Sequence, residues 1–287
     1  MNQRYRLDRF YILTNRTKDP EHTFTDEVIR YLESAGKICQ EVHPWQEQIS
    51  DQVGESLEGA CLLVLGGDGT VLDAAARLKG LPLPVFAINL GTLGYLAEVD
   101  RSGWKEALDL LMQDAYELED RMMLEGRLPG REGEAYALND VVFFRSGSLR
   151  LISINVYVDG QFLNTVNADG VIVATPTGST AYNLSAGGPI VEPTGSIIVL
   201  TPICAQSMYA RSLVFSAKDL ITLELAHSPH GGGNEAEASF DGRKKMILRE
   251  GDRIEIRKSA RTVRLVRISR QSFLQTLHKK LSRADGF

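Results

Sequence analysis

Hydrophobic positions in the first third of the chain follow two alternating rhythms. Short unbroken apolar runs occur at Phe10–Leu13, Ala60–Leu65 and Val85–Ile88, the pattern of strands in a parallel sheet covered on both faces. Between the first two, Phe24, Val28, Ile29, Tyr31 and Leu32 fall near one face at helical spacing. They predict a helix over 23–34 that stops at Ala35 and Gly36. Further helices are predicted over Val71–Lys79 and Trp104–Leu111. Strand and helix in alternation predict an α/β domain with an open, mostly parallel sheet.

Near Leu118 the rhythm changes to strand-length segments: Val141–Phe144, Ile152–Val158, Gly170–Ala174, Ile197–Leu200, Ile221–Leu225, Ile254–Ile256 and Thr262–Val266. Asp159–Gly160 between two runs is a hairpin signal, and Gly251–Asp252 marks another tight connection. His227–Glu237, which holds Gly231–Gly233, reads as a mobile hairpin loop. Helical spacing returns through Phe273, Leu274, Leu277 and Leu281, and this last helix is expected to pack back on the N-terminal half. The expected division is an α/β domain over 1–120, completed by the helix at 269–287, and a β-rich domain over 121–268.

Composition narrows the classes. The chain has 287 residues, 43% hydrophobic and 24% charged, ordinary for a globular protein. No stretch approaches the ~18 uncharged apolar residues of a membrane span. Met1–Arg9 is polar with no signal-type apolar region after it, so a cytoplasmic protein without a membrane partner is expected. A net charge of -5 gives no bulk basic field for nucleic acid. Cys39, Cys61 and Cys204 are scattered without CxxC spacing, which fits neither a disulfide scaffold nor a zinc site. His227 and His230 lack a third ligand nearby, so no metal held by the protein is expected. Trp45 and Trp104 read as isolated, with Trp104 as packing. Arg261, Arg264, Arg267 and Arg270 read as a solvated face. Lys244 and Lys245, beside Arg243, are candidates to attract phosphates.

Three motifs carry chemistry. A strand feeds Gly66-Gly67-Asp68-Gly69-Thr70 and then a helix, an arrangement that presents backbone N–H groups and a helix N-terminus to an anion. Glycine lets the backbone approach phosphate oxygens closely. An aspartate there repels phosphate, so it needs a purpose: holding Mg²⁺, or accepting the proton of a hydroxyl being phosphorylated. The second motif, Asp169–Pro189, ends a strand in Thr175-Pro-Thr-Gly-Ser-Thr180. Its hydroxyls and glycines suit a polar, multiply hydroxylated ligand such as a nucleotide, and Thr180 is placed to cap a short helix through Ser185. The third, Asn139-Asp140, can grip a ribose diol and is also a common loop dipeptide.

These motifs, with Asn89–Leu96 between them, stand in the order found in bacterial NAD kinases, and from Leu62 to Gly242 the chain resembles that family. The glycine-aspartate loop is shared with diacylglycerol and sphingosine kinases. The Asp169–Pro189 block is the more specific feature and favours a dinucleotide over a lipid. A non-catalytic NAD(P) sensor would be expected to have lost Asp68 or Asn139, and both are present.

The resemblance implies an active site between an α/β domain and a β-rich domain. It implies ATP as phosphoryl donor, with polyphosphate left open as a second donor, Mg²⁺ or another divalent cation carried by the nucleotide, and NAD as acceptor in a homodimer or homotetramer. It makes Asp68 the general base and lines the phosphate loop with Gly67, Gly69 and Thr70. Asn139 and Asp140 resemble the adenosine-ribose pair, and Asp169 a carboxylate near the nicotinamide amide. Thr180, Ala181, Tyr182 and Ser185 resemble residues around the adenine, and Tyr95, Thr177, Asn183, Leu184 and Asp241 join the nucleotide-binding set. Arg150 and Asn167 fall at spacings of further ligand contacts. Arg243 replaces a glutamine common in the family, and Ala205-Gln206 stands where many members have Pro-His.

Overall fold

A computed structural model describes residues 6–43, 49–53, 57–91, 94–97, 99–147, 150–208, 210–227, 235–268 and 273–284. Trp45, His230, the glycines at 231–233, Arg270 and most of the start of the chain lie outside the described residues. The chain forms two compact units, Met1–Asp120 with Val263–Phe287, and Arg121–Thr262.

The first unit begins β1 (Arg9–Thr14), α1 (Thr23–Ser34), β2 (Ile38–Glu41), α2 (Ile49–Gln52), β3 (Ala60–Gly66), α3 (Asp68–Leu78), β4 (Val85–Asn89), β5 (Val99–Asp100) and α4 (Trp104–Met112). β1 pairs in parallel with β2 and β3, and β3 with β4. All residues of β3 and β4 are buried, which accounts for their unbroken apolar sequence. Helix α1 stops at Ala35, and Gly36 takes a left-handed φ of 75°. Asp19 serves its first turn, accepting hydrogen bonds from Phe24 N (3.3 Å) and Thr25 N (2.9 Å). The core gathers Phe10, Ile12, Phe24, Val28, Phe86, Trp104 and Leu108. Trp104 is a packing residue, edge-on to Phe24 and Tyr31. Buried Cys61 has its thiol pushed up to about 12 by desolvation, a core side chain rather than a nucleophile.

The second unit holds β6 (Glu117–Arg127, from Arg121 on), β7 (Glu134–Ala137), β8 (Asp140–Ser146), β9 (Ile152–Val158), β10 (Gln161–Ala168), β11 (Gly170–Ala174), α5 (Tyr182–Ser185), β12 (Ile197–Ile203), β13 (Leu213–Ser216), β14 (Ile221–Leu225), β15 (Glu235–Phe240), β16 (Lys244–Arg249) and most of β17 (Arg253–Arg267). Six strands form an antiparallel sheet in the order β13-β12-β11-β8-β15-β16, and β10-β9-β14-β17 run antiparallel in another. Phe143, Val171 and Val173 from the first share one core with Ile154, Leu223 and Ile254 from the second. Asp159 (φ 50°) and Gly160 (φ 78°) close the β9–β10 hairpin, both left-handed as a two-residue turn of that twist requires.

The last residues of β17 return to the first unit, where Leu265 pairs in parallel with Val85. The terminal helix α6 (Phe273–Ala284) belongs to the same unit, and its Lys280 lies 3.5 Å above the Tyr95 ring.

Several expectations need correction. The two strands expected at 254–256 and 262–266 are one 15-residue strand. Its hydrophobic alternation is interrupted by the charged Arg257-Lys258, yet the ladder continues. Helix α3 starts at Asp68, not Val71. The Gly67 carbonyl accepts from both Thr70 N and Val71 N (2.8 and 3.2 Å), so Asp68 is already in the first turn. Glu235–Glu237, expected within a loop, open strand β15.

Candidate active site

In the first unit, parallel pairing brings the C-terminal ends of β1, β3 and β4 to one sheet edge, the usual location of ligand sites in open α/β sheets. There β3 enters the glycine loop. A Cβ on Gly66 would overlap the Thr70 hydroxyl, whereas one on Gly69 would meet nothing within 4 Å. Glycine at 66 therefore lets the end of β3 pass directly against Thr70. The Thr70 hydroxyl is spent on the scaffold, accepting from Asn15 Nδ2 at 3.0 Å.

Asp68 turns its carboxylate into the 94–97 segment. Oδ2 accepts from Tyr95 N at 2.7 Å, and Oδ1 accepts from Leu96 N at 3.0 Å and Ala97 N at 3.2 Å. Three amides thus occupy three of the roughly four acceptor positions of a carboxylate and fix its orientation. Gly94 makes this possible, because a Cβ there would overlap Oδ1. Burial and the neighbouring Asp68 raise the Tyr95 phenol above its ordinary value. Burial lowers the Lys280 ammonium, with Asp68 opposing. Thr92 and Leu93 of this segment lie outside the described residues.

In the second unit, Asn139 and Asp140 sit at the start of β8. Asp241, at φ 49° in the turn after β15, accepts from the backbone N–H of Leu138 (2.8 Å), Asn139 (2.8 Å) and Asp140 (3.1 Å). Its place is structural: it ties that turn to the Asn139 backbone. Burial raises Asp241, and those three donors oppose the rise. Burial and the charge of Asp241 push Asp140 up to about 7. Both carboxyls are thus held above the ordinary range, and the three backbone donors favour the charged form of Asp241.

The segment 175–185 lies against this pair. A Cβ on Gly178 would overlap the Asn139 carbonyl, so only glycine lets the turn approach. Residues 177–180 form a 3₁₀ turn, and α5 follows from an N-cap at Ala181. Thr180 does not cap that helix; its hydroxyl donates back to Thr177 O at 3.4 Å, because the 3₁₀ turn already occupies its position. Tyr182, Leu184 and Ser185 are exposed and Ala181 is half-buried. Asn183 faces inward: its Nδ2 donates to Ser179 O and Pro189 O (both 3.0 Å), and its Oδ1 accepts from Thr201. The side chain is spent holding the loop. Thr177 is also buried and accepts from Arg121 at 3.2 Å.

Asp169 pairs with Arg145, Nε to Oδ1 at 2.6 Å. Asn167 accepts from Ser153 Oγ at 2.7 Å and is exposed, as is Arg150. Lys244 and Lys245 are engaged elsewhere on the sheet, with Glu134 O and Glu237. His227 pairs with Glu250 at 3.5 Å. Sequence reasoning missed Gly94, Arg145 and Arg121. Only Gly94 had a signal, as a glycine inside Asn89–Leu96, but the partner that demands it lies 26 residues earlier.

Comparison with known proteins gives the family. Residues 11–116 match the ATP-NAD kinase N-terminal domain and residues 138–268 the ATP-NAD kinase C-terminal domain. An NAD kinase of Agathobacter rectalis is 42% identical over 279 residues, covering 96% of this chain and 99% of the relative. One of Lachnospira eligens is 42% identical over 291 residues, covering 95% and 99%. Yeast NADH kinase, solved with NADH, superposes with a TM-score of 0.80 at 26% identity, over 98% of this chain and 89% of its own. The Archaeoglobus fulgidus NAD kinase, solved with ATP, shares the fold with a TM-score of 0.77 at 23% identity, over 97% and 100%. On its sequence and its fold, this chain belongs to the ATP-NAD kinase family.

Proposed function

We propose that this protein transfers the terminal phosphoryl group of ATP to the 2′-hydroxyl of the adenosine ribose of NAD, giving NADP. The observation that carries the reading is the Asp68 carboxylate, fixed by three amides at the head of α3 beside a glycine loop. In this reading Gly67 and Gly69 face the donor phosphates, where the helix N-terminus favours negative charge, and Thr70 holds the loop through its bonds with Gly67 and Asn15. Asp68 orients the ribose hydroxyl through the acceptor position that its amides leave over.

A secondary alcohol is far too weak an acid to be ionised beforehand by a carboxylate. Asp68 therefore takes the proton late, as the bond to phosphorus forms. Phosphoryl transfer asks mainly for alignment and charge neutralisation. Mg²⁺ is assigned to the nucleotide, whose phosphate charge it would neutralise.

The second unit is assigned the dinucleotide. Asn139 and Asp140 hold the adenosine ribose. Asp169, held by Arg145, faces the nicotinamide amide. Ala181, Tyr182, Leu184 and Ser185 surround the adenine, with Thr177, Thr180 and Asn183 as their scaffold and Asp241 fixing the Asn139 backbone. Arg150 and Asn167 are assigned peripheral contacts. A homodimer or homotetramer in the cytoplasm completes the reading. The test is a coupled assay with NAD, Mg²⁺ and either ATP or polyphosphate. NADP is the expected product; binding of NAD without NADP from either donor would overturn the reading.

A further inference from the structure

We propose that Lys18 is the cation that holds the terminal phosphates of the donor over the glycine loop. The inference rests on the reading of that loop as the donor-phosphate site, and it concerns a residue that none of the sequence motifs contains.

The loop after β1 leaves the sheet edge beside the loop after β3. Asn15 ties the two together, its N–H donating to Leu65 O at 2.8 Å and its Nδ2 to Thr70 Oγ1 at 3.0 Å. The Asn15 carbonyl then accepts from Lys18 N at 2.9 Å and Asp19 N at 3.1 Å, closing a tight turn. Buried Asp19 anchors the far end of the turn to the start of α1, through Thr25 N at 2.9 Å and the Thr25 hydroxyl at 2.6 Å. The Lys18 backbone is therefore held on both sides, although its side chain is exposed.

That side chain reaches back over the glycines. A Cβ built on Gly67 would lie 3.1 Å from Lys18 Nζ and 3.6 Å from Asn89 Oδ1, and a Cβ on Gly91 would overlap the ammonium. Glycine at 67 and 91 leaves the space that the ammonium occupies. Among the described residues no carboxylate forms an ion pair with it. Asp68, the acid of the loop itself, is committed to the amides of residues 95–97. An ammonium with three donors and no acidic partner, above backbone amides at a helix start, matches the non-bridging oxygens of a phosphate chain. Lys244 and Lys245, the basic residues that composition put forward, are already engaged.

The test measures initial rates with ATP and NAD varied separately, for the full-length protein and its Lys18→Ala, Lys18→Gln and Lys18→Arg variants. Inhibition by inorganic tripolyphosphate is measured alongside. Losing a charge-assisted contact to phosphate should lower kcat/KM for ATP by about 10- to 100-fold in Lys18→Ala and Lys18→Gln. Tripolyphosphate inhibition should weaken in parallel, KM for NAD should stay within about twofold, and Lys18→Arg should recover most of the loss. Unchanged ATP kinetics in both neutral variants, or equal losses for ATP and NAD, would overturn the assignment. Wild-type protein that makes no NADP would instead defeat the reading on which it rests. Active wild type with insensitive variants defeats the Lys18 assignment alone.

Discussion

Gly94 and the carboxylate of Asp68 occupy the same space: a β-carbon on residue 94 would overlap Oδ1 and lie 2.6 Å from Oδ2. The missing side chain lets the chain fold over the acid, so that the next three amides meet its two oxygens. Asp68 is thereby positioned by a segment far from the motif that contains it.

Gly94→Ala should push the carboxylate out of its amide cradle while leaving β3 and α3 intact. Misplacing a catalytic group by about 1 Å can cost on the order of 10²-fold, and a loss of that size is expected in kcat. Steady-state kinetics with a thermal melt as control checks it. Wild-type turnover in a folded variant would show that the cradle is dispensable.

Asp140 supplies a pH dependence. Its side chain is pushed up to about 7 by burial and by Asp241, against an ordinary value of 3.8. The folded state thus binds a proton that the unfolded state has released. That contribution to stability is fully present below the unfolded value and is lost as pH rises through the folded value, between about 3.8 and about 7. About three pKa units correspond to roughly 4 kcal/mol as an upper bound. Asp140→Asn should flatten the slope between pH 5 and pH 8, read from urea midpoints, and should be the more stable protein at pH 8. An unchanged slope would mean that Asp140 is ionised throughout.

Arg145 and Asp169 are each mostly shielded, with side-chain exposures of 19% and 22%. Arg145→Met should leave Asp169 without its cation and raise KM for NAD by about 10-fold, the cost of disturbing a charged hydrogen bond, with KM for ATP unchanged. Equal changes for both substrates would remove Asp169 from the nicotinamide end.

How much of this was legible in the sequence depends on the range of the interaction. Strands β3 and β4 and helices α1 and α4 were readable because each carries its own burial pattern. Strands β6, β7, β15 and β16 were not. Their exposed faces carry Glu, Lys and Arg that pair across strands, as in Arg257–Glu125 and Lys245–Glu237, so local hydrophobicity is weak. At the site, the glycine loop and the 175–185 turn were visible as motifs. The partners that give those motifs their geometry are distant in sequence: Gly94 for Asp68, Asp241 for Asn139, Arg145 for Asp169. Asn183 shows the converse, a residue drawn into the binding set by its motif whose carboxamide is spent inside the loop.

The central claim is that Asp68 accepts the ribose proton, and turnover and NAD affinity of Asp68→Asn, measured side by side, test it most directly. The carboxamide keeps the size of the side chain and loses its basicity. The account predicts that kcat falls by roughly 10² to 10⁴ while NAD binds within about threefold of wild type. Near-wild-type turnover in Asp68→Asn would contradict it.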